Sequence, residues 1–143
     1  MQKVKDILSK KGSHIESVEP DTSVIDALKR MAEKNYGSVV VMEEGKFLGV
    51  MTERDYSRKV VLMGKNSTDT LVSDIMSTEL PRVSPYDTID HCMSLMTENH
   101  IRYIPVYEGE KLSGIISMTD VVSATIARHE ATISHLESYI TRS

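Results

Sequence analysis

The chain repeats itself, and a repeat that needs no gap restricts the fold to two copies of one small unit. Shifted by 65 residues, positions 18 to 55 fall on positions 83 to 120 with 9 identities over 38 positions. Val18 meets Val83, Pro20 meets Pro85, Met31 meets Met96, Val41 meets Val106, Gly49 meets Gly114 and Asp55 meets Asp120. Many of the remaining apolar and hydroxyl pairs are conservative, among them Val24/Ile89 and Thr52/Ser117. A shorter echo stands before each copy, Val4-x-Asp6-Ile7-Leu8 and Val72-x-Asp74-Ile75-Met76.

Within each copy the hydrophobic period changes in the same order. Val24, Ala27, Leu28 and Met31 recur at i, i+3, i+4, i+7, as do Ile89, Cys92, Met93 and Met96, and both sets predict an amphipathic helix with these residues in the core. Asp21-Thr22-Ser23 and Tyr86-Asp87-Thr88 precede them and supply N-cap side chains. The β-branched runs Ser38 to Met42 and Tyr103 to Tyr107 follow, then Gly-containing turns, then Phe47 to Met51 and Leu112 to Ile116. Two such runs around a short turn predict a hairpin. A second helix is expected from near Glu53 and Met118. Pro105 cannot donate to a ladder, so it marks an edge or a point where pairing stops. The fold class expected is α+β, built of βαββα repeats. Residues 1–62 form a first domain, 63–71 a polar linker, 72–128 a second domain and 129–143 a C-terminal helix. The tail carries a helical apolar pattern of Val122, Ile126, Ile133, Leu136 and Ile140, which predicts packing on the module or on a partner.

Composition narrows the function. The net charge is -4 with acids and bases interspersed, which argues against nucleic acid as the main partner, because backbone binding needs a basic face. The lone Cys92 allows no internal disulfide and fits a reducing compartment. No apolar run approaches the roughly 20 residues a membrane span needs, and the start Met1 to Leu8 lacks the long apolar region of a signal peptide. A cytoplasmic protein without a membrane partner is expected.

Two segments carry a family likeness: Gly49-Val50-Met51-Thr52-Glu53-Arg54-Asp55 and Gly114-Ile115-Ile116-Ser117-Met118-Thr119-Asp120, joined by Arg102-Tyr103-Ile104-Pro105-Val106. The pair of units resembles a tandem of cystathionine-β-synthase (CBS) domains, the Bateman module, over roughly residues 1 to 126, and in particular stand-alone bacterial CBS-pair proteins and their plant organellar relatives. The resemblance implies two domains packed through their sheets with pseudo-twofold symmetry and an adenine nucleotide, AMP, ATP or NAD(H), held between them. It also implies a homodimer.

The Gly-apolar-apolar-Thr/Ser-x-x-Asp turn has its own physical logic. Gly49 and Gly114 let the strand pass close to another backbone. Thr52 and Ser117 sit where a strand ends and a helix begins, where free N–H groups and the helix dipole favour a cap or a phosphate. Asp55 and Asp120 fall within the first helical turn. They either close a capping box with the hydroxyl three residues earlier or, as the resemblance implies, accept hydrogen bonds from the two ribose hydroxyls; the two roles are compatible. Arg54, Arg58 and Arg102 are candidate phosphate ligands, because a guanidinium fork matches phosphate oxygens. Thr119 stands in the second copy where Arg54 stands in the first, so the two sites are unequal. Val18, Val39, Val40 and Val50 in one copy, and Val83, Ile104, Pro105 and Ile115 in the other, are candidates for an adenine slot, with core packing the competing role; Tyr103 and Thr119 complete the candidate ligand contacts.

Other signals fail on spacing. Gly64-Lys65 lacks the Gly five positions earlier that a phosphate loop requires, and His129-Glu130 lacks its second His at position 133. The histidines are not paired at metal spacing, so no metal is expected. Cys92 is expected in the core. No catalytic constellation emerges, and the expectation is a nucleotide-binding sensor, not an enzyme, that transmits its state to an unidentified protein effector. A structural or adaptor protein with no nucleotide is the alternative.

Overall fold

The computed structural model describes residues 2–12 and 16–142, the side chains of residues 139–142 excepted. Its elements follow the order α1 (Val4–Lys11), β1 (Ser17–Val18), α2 (Val24–Lys34), β2 (Ser38–Glu43), β3 (Lys46–Thr52), α3 (Glu53–Tyr56) continued by a π-helical turn (Ser57–Val61), α4 (Val72–Ile75), α5 (Ile89–Asn99), β4 (Tyr103–Glu108), β5 (Lys111–Ser117) and α6 (Met118–Arg142). They group into two compact units. One consists of Met1–His14 with Pro81–Ser143, the other of Ile15–Leu80.

The expected caps form. The Ser23 hydroxyl accepts from Asp26 N at 3.2 Å and opens α2, and the Thr88 hydroxyl accepts from His91 N at 3.1 Å and opens α5. At the other ends Asn35 (φ 57) and His100 (φ 54) take the left-handed conformation, which ends a helix cleanly. The hairpins β2–β3 and β4–β5 are antiparallel, each with a register shift after its central Val, between Val41 and Met42 and between Val106 and Tyr107.

The copies differ at their first strand. In the 15–80 unit β1 runs parallel to β2, and Val40 N donates to Glu16 O at 3.2 Å. In the other unit Val83 N donates to Pro105 O at 3.1 Å and Tyr107 N to Val83 O at 2.8 Å, which makes a single bridge between Val83 and Val106. Pro105 stands where Val40 stands and has no N–H, so the ladder stops there.

Each unit has its own core. Val18, Val24, Ala27, Met31, Val39, Val41, Met51 and Ile75 fill one; Val4, Val83, Ile89, Cys92, Met96, Ile104, Val106 and Ile116 fill the other. Met93 departs from the expected core stripe and is 37% exposed, because Ile89, Cys92 and Met96 define the buried line of α5 and Met93 lies at its border.

The sequence echo proves to be a docking device. Val72 N donates to Thr22 O at 2.8 Å and Ser73 N to Pro20 O at 3.1 Å, fixing α4 to the entrance of α2. Val4 N donates to Asp87 O at 2.9 Å and Lys5 N to Pro85 O at 2.8 Å, fixing α1 to the entrance of α5. Each copy is thus stapled by the short helix that precedes the other copy in the chain. The polar stretch 63–71 is folded onto α2: the Thr70 side chain is buried, Val24 N donates to Thr70 O at 2.9 Å and Ile25 N to Ser67 O at 3.0 Å.

Candidate functional site

The Thr/Ser-x-x-Asp turns close as capping boxes in both units. In the 15–80 unit Asp55 N donates to Thr52 Oγ1 at 3.0 Å, while Thr52 N and the Thr52 hydroxyl donate to Asp55 Oδ2 at 3.0 and 3.1 Å. In the other unit Asp120 N donates to Ser117 Oγ at 3.1 Å and Ser117 N to Asp120 Oδ2 at 2.9 Å. The helix starts are tied down alike, Glu53 N to Gly37 O at 3.2 Å and Met118 N to Arg102 O at 2.8 Å. Asp55 and Asp120 are therefore fixed in orientation before anything binds.

Each carboxylate also holds a lysine, from a different part of the chain. Lys59, one turn on from Asp55, places Nζ 3.3 Å from its Oδ1 and donates to Ile75 O at 2.9 Å. The Ser77 hydroxyl, just beyond α4, adds a donor to Oδ1 at 3.3 Å. Lys11, the last residue of α1, places Nζ 2.8 Å from Asp120 Oδ2 and donates to Ile115 O at 2.9 Å. Both oxygens of Asp55 are thus occupied and its side chain is 11% exposed. Among the described residues the partners of Asp120's carboxylate all meet Oδ2, and its side chain is 22% exposed. Asp120 is the more accessible carboxylate. Lys59 was legible in the sequence as an i+4 neighbour; Lys11, 109 residues from its partner, was not.

The glycines serve close approach. A Cβ on Gly49 would meet Ser77 O at 2.5 Å, because Val50 and Ser77 exchange backbone hydrogen bonds at 3.0 and 2.9 Å. A Cβ on Gly114 would meet a Leu8 side-chain carbon at 2.8 Å, so the expected close backbone holds for the first copy and a side chain takes its place in the second.

Strand alternation sorts the adenine candidates. Val18 and Val39 belong to the core of one unit, Val83 and Ile104 to that of the other. Val40 pairs with Val50 and Pro105 with Ile115, and these pairs lie on the sheet face opposite Val39, Val41 and Ile104. That face carries Thr52 and, in the second copy, Tyr103 and Ser117, so the apolar pairs sit beside the Asp turns. Tyr103 is half-buried; Arg54, Arg58, Arg102 and Thr119 are exposed. Arg82, absent from the sequence-based set, stacks over the Tyr107 ring with 4.6 Å to its centroid. Cys92 is fully buried; burial pushes its thiol up from 9.0 to about 11, and the charge of Asp87 adds to the effect. Among the described residues no group of three His, Cys, Asp or Glu could hold a metal ion, and no helix is long and apolar enough to cross a membrane.

The CBS domain family matches residues 4–61 and again 72–127. The chain belongs to the CBS-domain family, as a tandem pair. A CBS-domain protein from Burkholderia ambifaria MC40-6 shares its fold with a TM-score of 0.85 and 42% identity, over 88% of this chain and 95% of that one. The mitochondrial CBS domain-containing protein CBSX3 of Arabidopsis thaliana is 36% identical over 96% of this chain and 71% of its own length. The CBS domain pair of MJ0100, solved with 5'-methylthioadenosine and S-adenosyl-L-methionine, covers 90% of this chain and 98% of its own at a TM-score of 0.78 and 22% identity, a likeness of fold. The α+β tandem-CBS architecture expected from the repeat is the one found, and CBS pairs are regulatory modules.

Proposed function

We propose that this CBS pair is a sensor of an adenine nucleotide, AMP, ATP or NAD(H), that it has no catalytic activity, and that it grips the ribose with Asp120 and, more weakly, with Asp55. The observation that carries the reading is the state of Asp120: oriented by its own helix start, bonded among the described residues through Oδ2, and beside the apolar Pro105–Ile115 pair. A carboxylate so fixed accepts from vicinal hydroxyls with little reorganisation. Exposed Arg102 supplies a phosphate contact for the site at Asp120 in its own unit, and exposed Arg54 and Arg58 do so for the site at Asp55 in theirs. The resident lysines supply the output. A ribose whose two hydroxyls take both oxygens of Asp120 competes with Lys11 Nζ for Oδ2, so occupancy loosens the last turn of α1. Such a difference between states is what a ligand needs in order to shift them. The signal passes to a protein effector in a reducing compartment such as the cytoplasm, from a homodimer.

Calorimetry tests this on protein freed of carried-over nucleotide, with AMP, ATP, NAD and NADH, and with methylthioadenosine because the MJ0100 structure contains it. Binding is expected to fall about tenfold or more in Asp120→Asn, since a hydrogen bond to a charged group contributes ~1.5–3 kcal/mol, and to fall less in Asp55→Asn. No heat with any of them would defeat the proposal. The adaptor alternative draws support from the full set of partners around Asp55; it predicts that both variants change stability alone.

A further inference from the structure

Helix α6 runs for 25 residues and carries apolar residues that its own unit does not cover. Val122 is 46% exposed, Ile126 52%, Ile133 55% and Leu136 55%. Their positions, with His129 and position 140, are spaced 4-3-4-3-4. That is an unbroken heptad seam, with Ile126, Ile133 and Ile140 at a and Val122, His129 and Leu136 at d. The side chain of Ile140 lies outside the described residues; its place in the register is a fact of sequence.

The opposite side of the helix is the one turned to its own unit. Arg128 pairs with Asp90 of α5 at 3.6 Å, and Ala127 and Ala131 line a groove of about 550 Å³ with Gln2 and Lys10 of the N-terminal segment. At 100° per residue these positions lie about 120–180° from the middle of the a/d seam. The seam therefore faces away from the body of its unit.

We propose that this seam pairs with the same seam of a second copy, as a parallel two-stranded coiled coil over residues 122–140. β-branched residues at a with Leu at d favour two parallel strands. The flanks choose the direction. The e positions are Glu130 and Glu137, and the g positions are Thr125 and Thr132. In a parallel pair each Glu faces a Thr of the other copy, Glu130 opposite Thr125 and Glu137 opposite Thr132. An antiparallel pair sets Glu against Glu. His129 is the polar exception at d and weakens the pair while holding its register. The inference is independent of the nucleotide reading.

Sedimentation of the full chain from about 1 to 200 μM tests it, with circular dichroism of each variant to check the fold. The wild type is expected to dimerise reversibly. Ile133→Asp and Leu136→Asp, both at exposed positions, are expected to weaken dimerisation at least ~10-fold with the fold retained, and His129→Leu to tighten it. Leu136→Cys is expected to cross-link two copies under mild oxidation, since equivalent d positions meet only in a parallel pair. A monomer at every concentration, a dimer indifferent to both Asp variants, or a dimer in which Leu136→Cys fails to cross-link would overturn the proposal. So would a monomer that instead binds anionic lipid vesicles through Ile126 and Ile133.

Discussion

Lys11 Nζ lies 2.8 Å from Asp120 Oδ2, and the same nitrogen donates to Ile115 O at 2.9 Å. One side chain at the end of α1 thus bridges the carboxylate of the second turn and the strand that leads into it. In the first copy the corresponding carboxylate is met by Lys59 of its own helix. The equivalence of the two turns is broken by what reaches them.

Lys11→Met removes the resident cation. Exposed ion pairs contribute ~0.2–1 kcal/mol, so nucleotide affinity is expected to rise by up to about fivefold, read by calorimetry. A fall in affinity would mean that Lys11 stays at the site and contacts phosphate, and the displacement account would be wrong.

Gly49→Ala and Gly114→Ala separate a backbone obstacle from a flexible one. The new Cβ at 49 meets a carbonyl oxygen engaged with Val50, whereas at 114 it meets the end of a Leu side chain. Denaturant midpoints are expected to drop by the equivalent of about 2–3 kcal/mol for Gly49→Ala and ~1 kcal/mol or less for Gly114→Ala. Equal losses would show that the two close approaches are the same kind of contact.

Cys92 is expected to resist alkylation at neutral pH until the chain unfolds, because the reactive thiolate is suppressed when a thiol is buried in apolar surroundings. The folded thiol titrates higher than the unfolded one, about 11 against 9.0. Its contribution to stability is therefore complete below pH 9.0 and declines as the pH rises toward about 11. The stability difference between wild type and Cys92→Ser should narrow over that window, measured by urea unfolding. A constant difference would place the thiol in a less buried setting.

The elements with strong local periods were legible. Val24, Ala27 and Met31 suffice for α2, the Ser23 and Thr88 caps locate both helix starts, and the hairpins follow from β-branched runs around two-residue turns. Pro105 was legible as an edge or a point where pairing stops, because the missing donor is a property of the residue itself; that the interrupted pairing is the parallel one came from the structure. What could not be read were contacts made across the chain. Nothing local to Lys11 points to Asp120, and nothing local to Ser77 points to Asp55. The capping boxes were legible as one of two roles for Thr52–Asp55 and Ser117–Asp120, and the geometry supplies that role directly. Val18, Val39, Val83 and Ile104 illustrate a further limit: an apolar residue in a strand has two faces to choose from, and the periodicity alone does not say which face meets the core.

The exchange of leading helices has a consequence for how the molecule comes into being. The segment 15–80 is continuous in the chain and contains its own staple, so it can close as soon as it has been synthesised. The other unit is assembled from two segments, one before this stretch and one after it. Until the segment leading into α5 supplies Asp87 O and Pro85 O as acceptors, and Asp120 arrives to receive Lys11, the apolar side of α1 with Val4 and Ile7 has no core to enter. The two copies descend from one sequence pattern, yet one can mature early while the other waits for its own distant end.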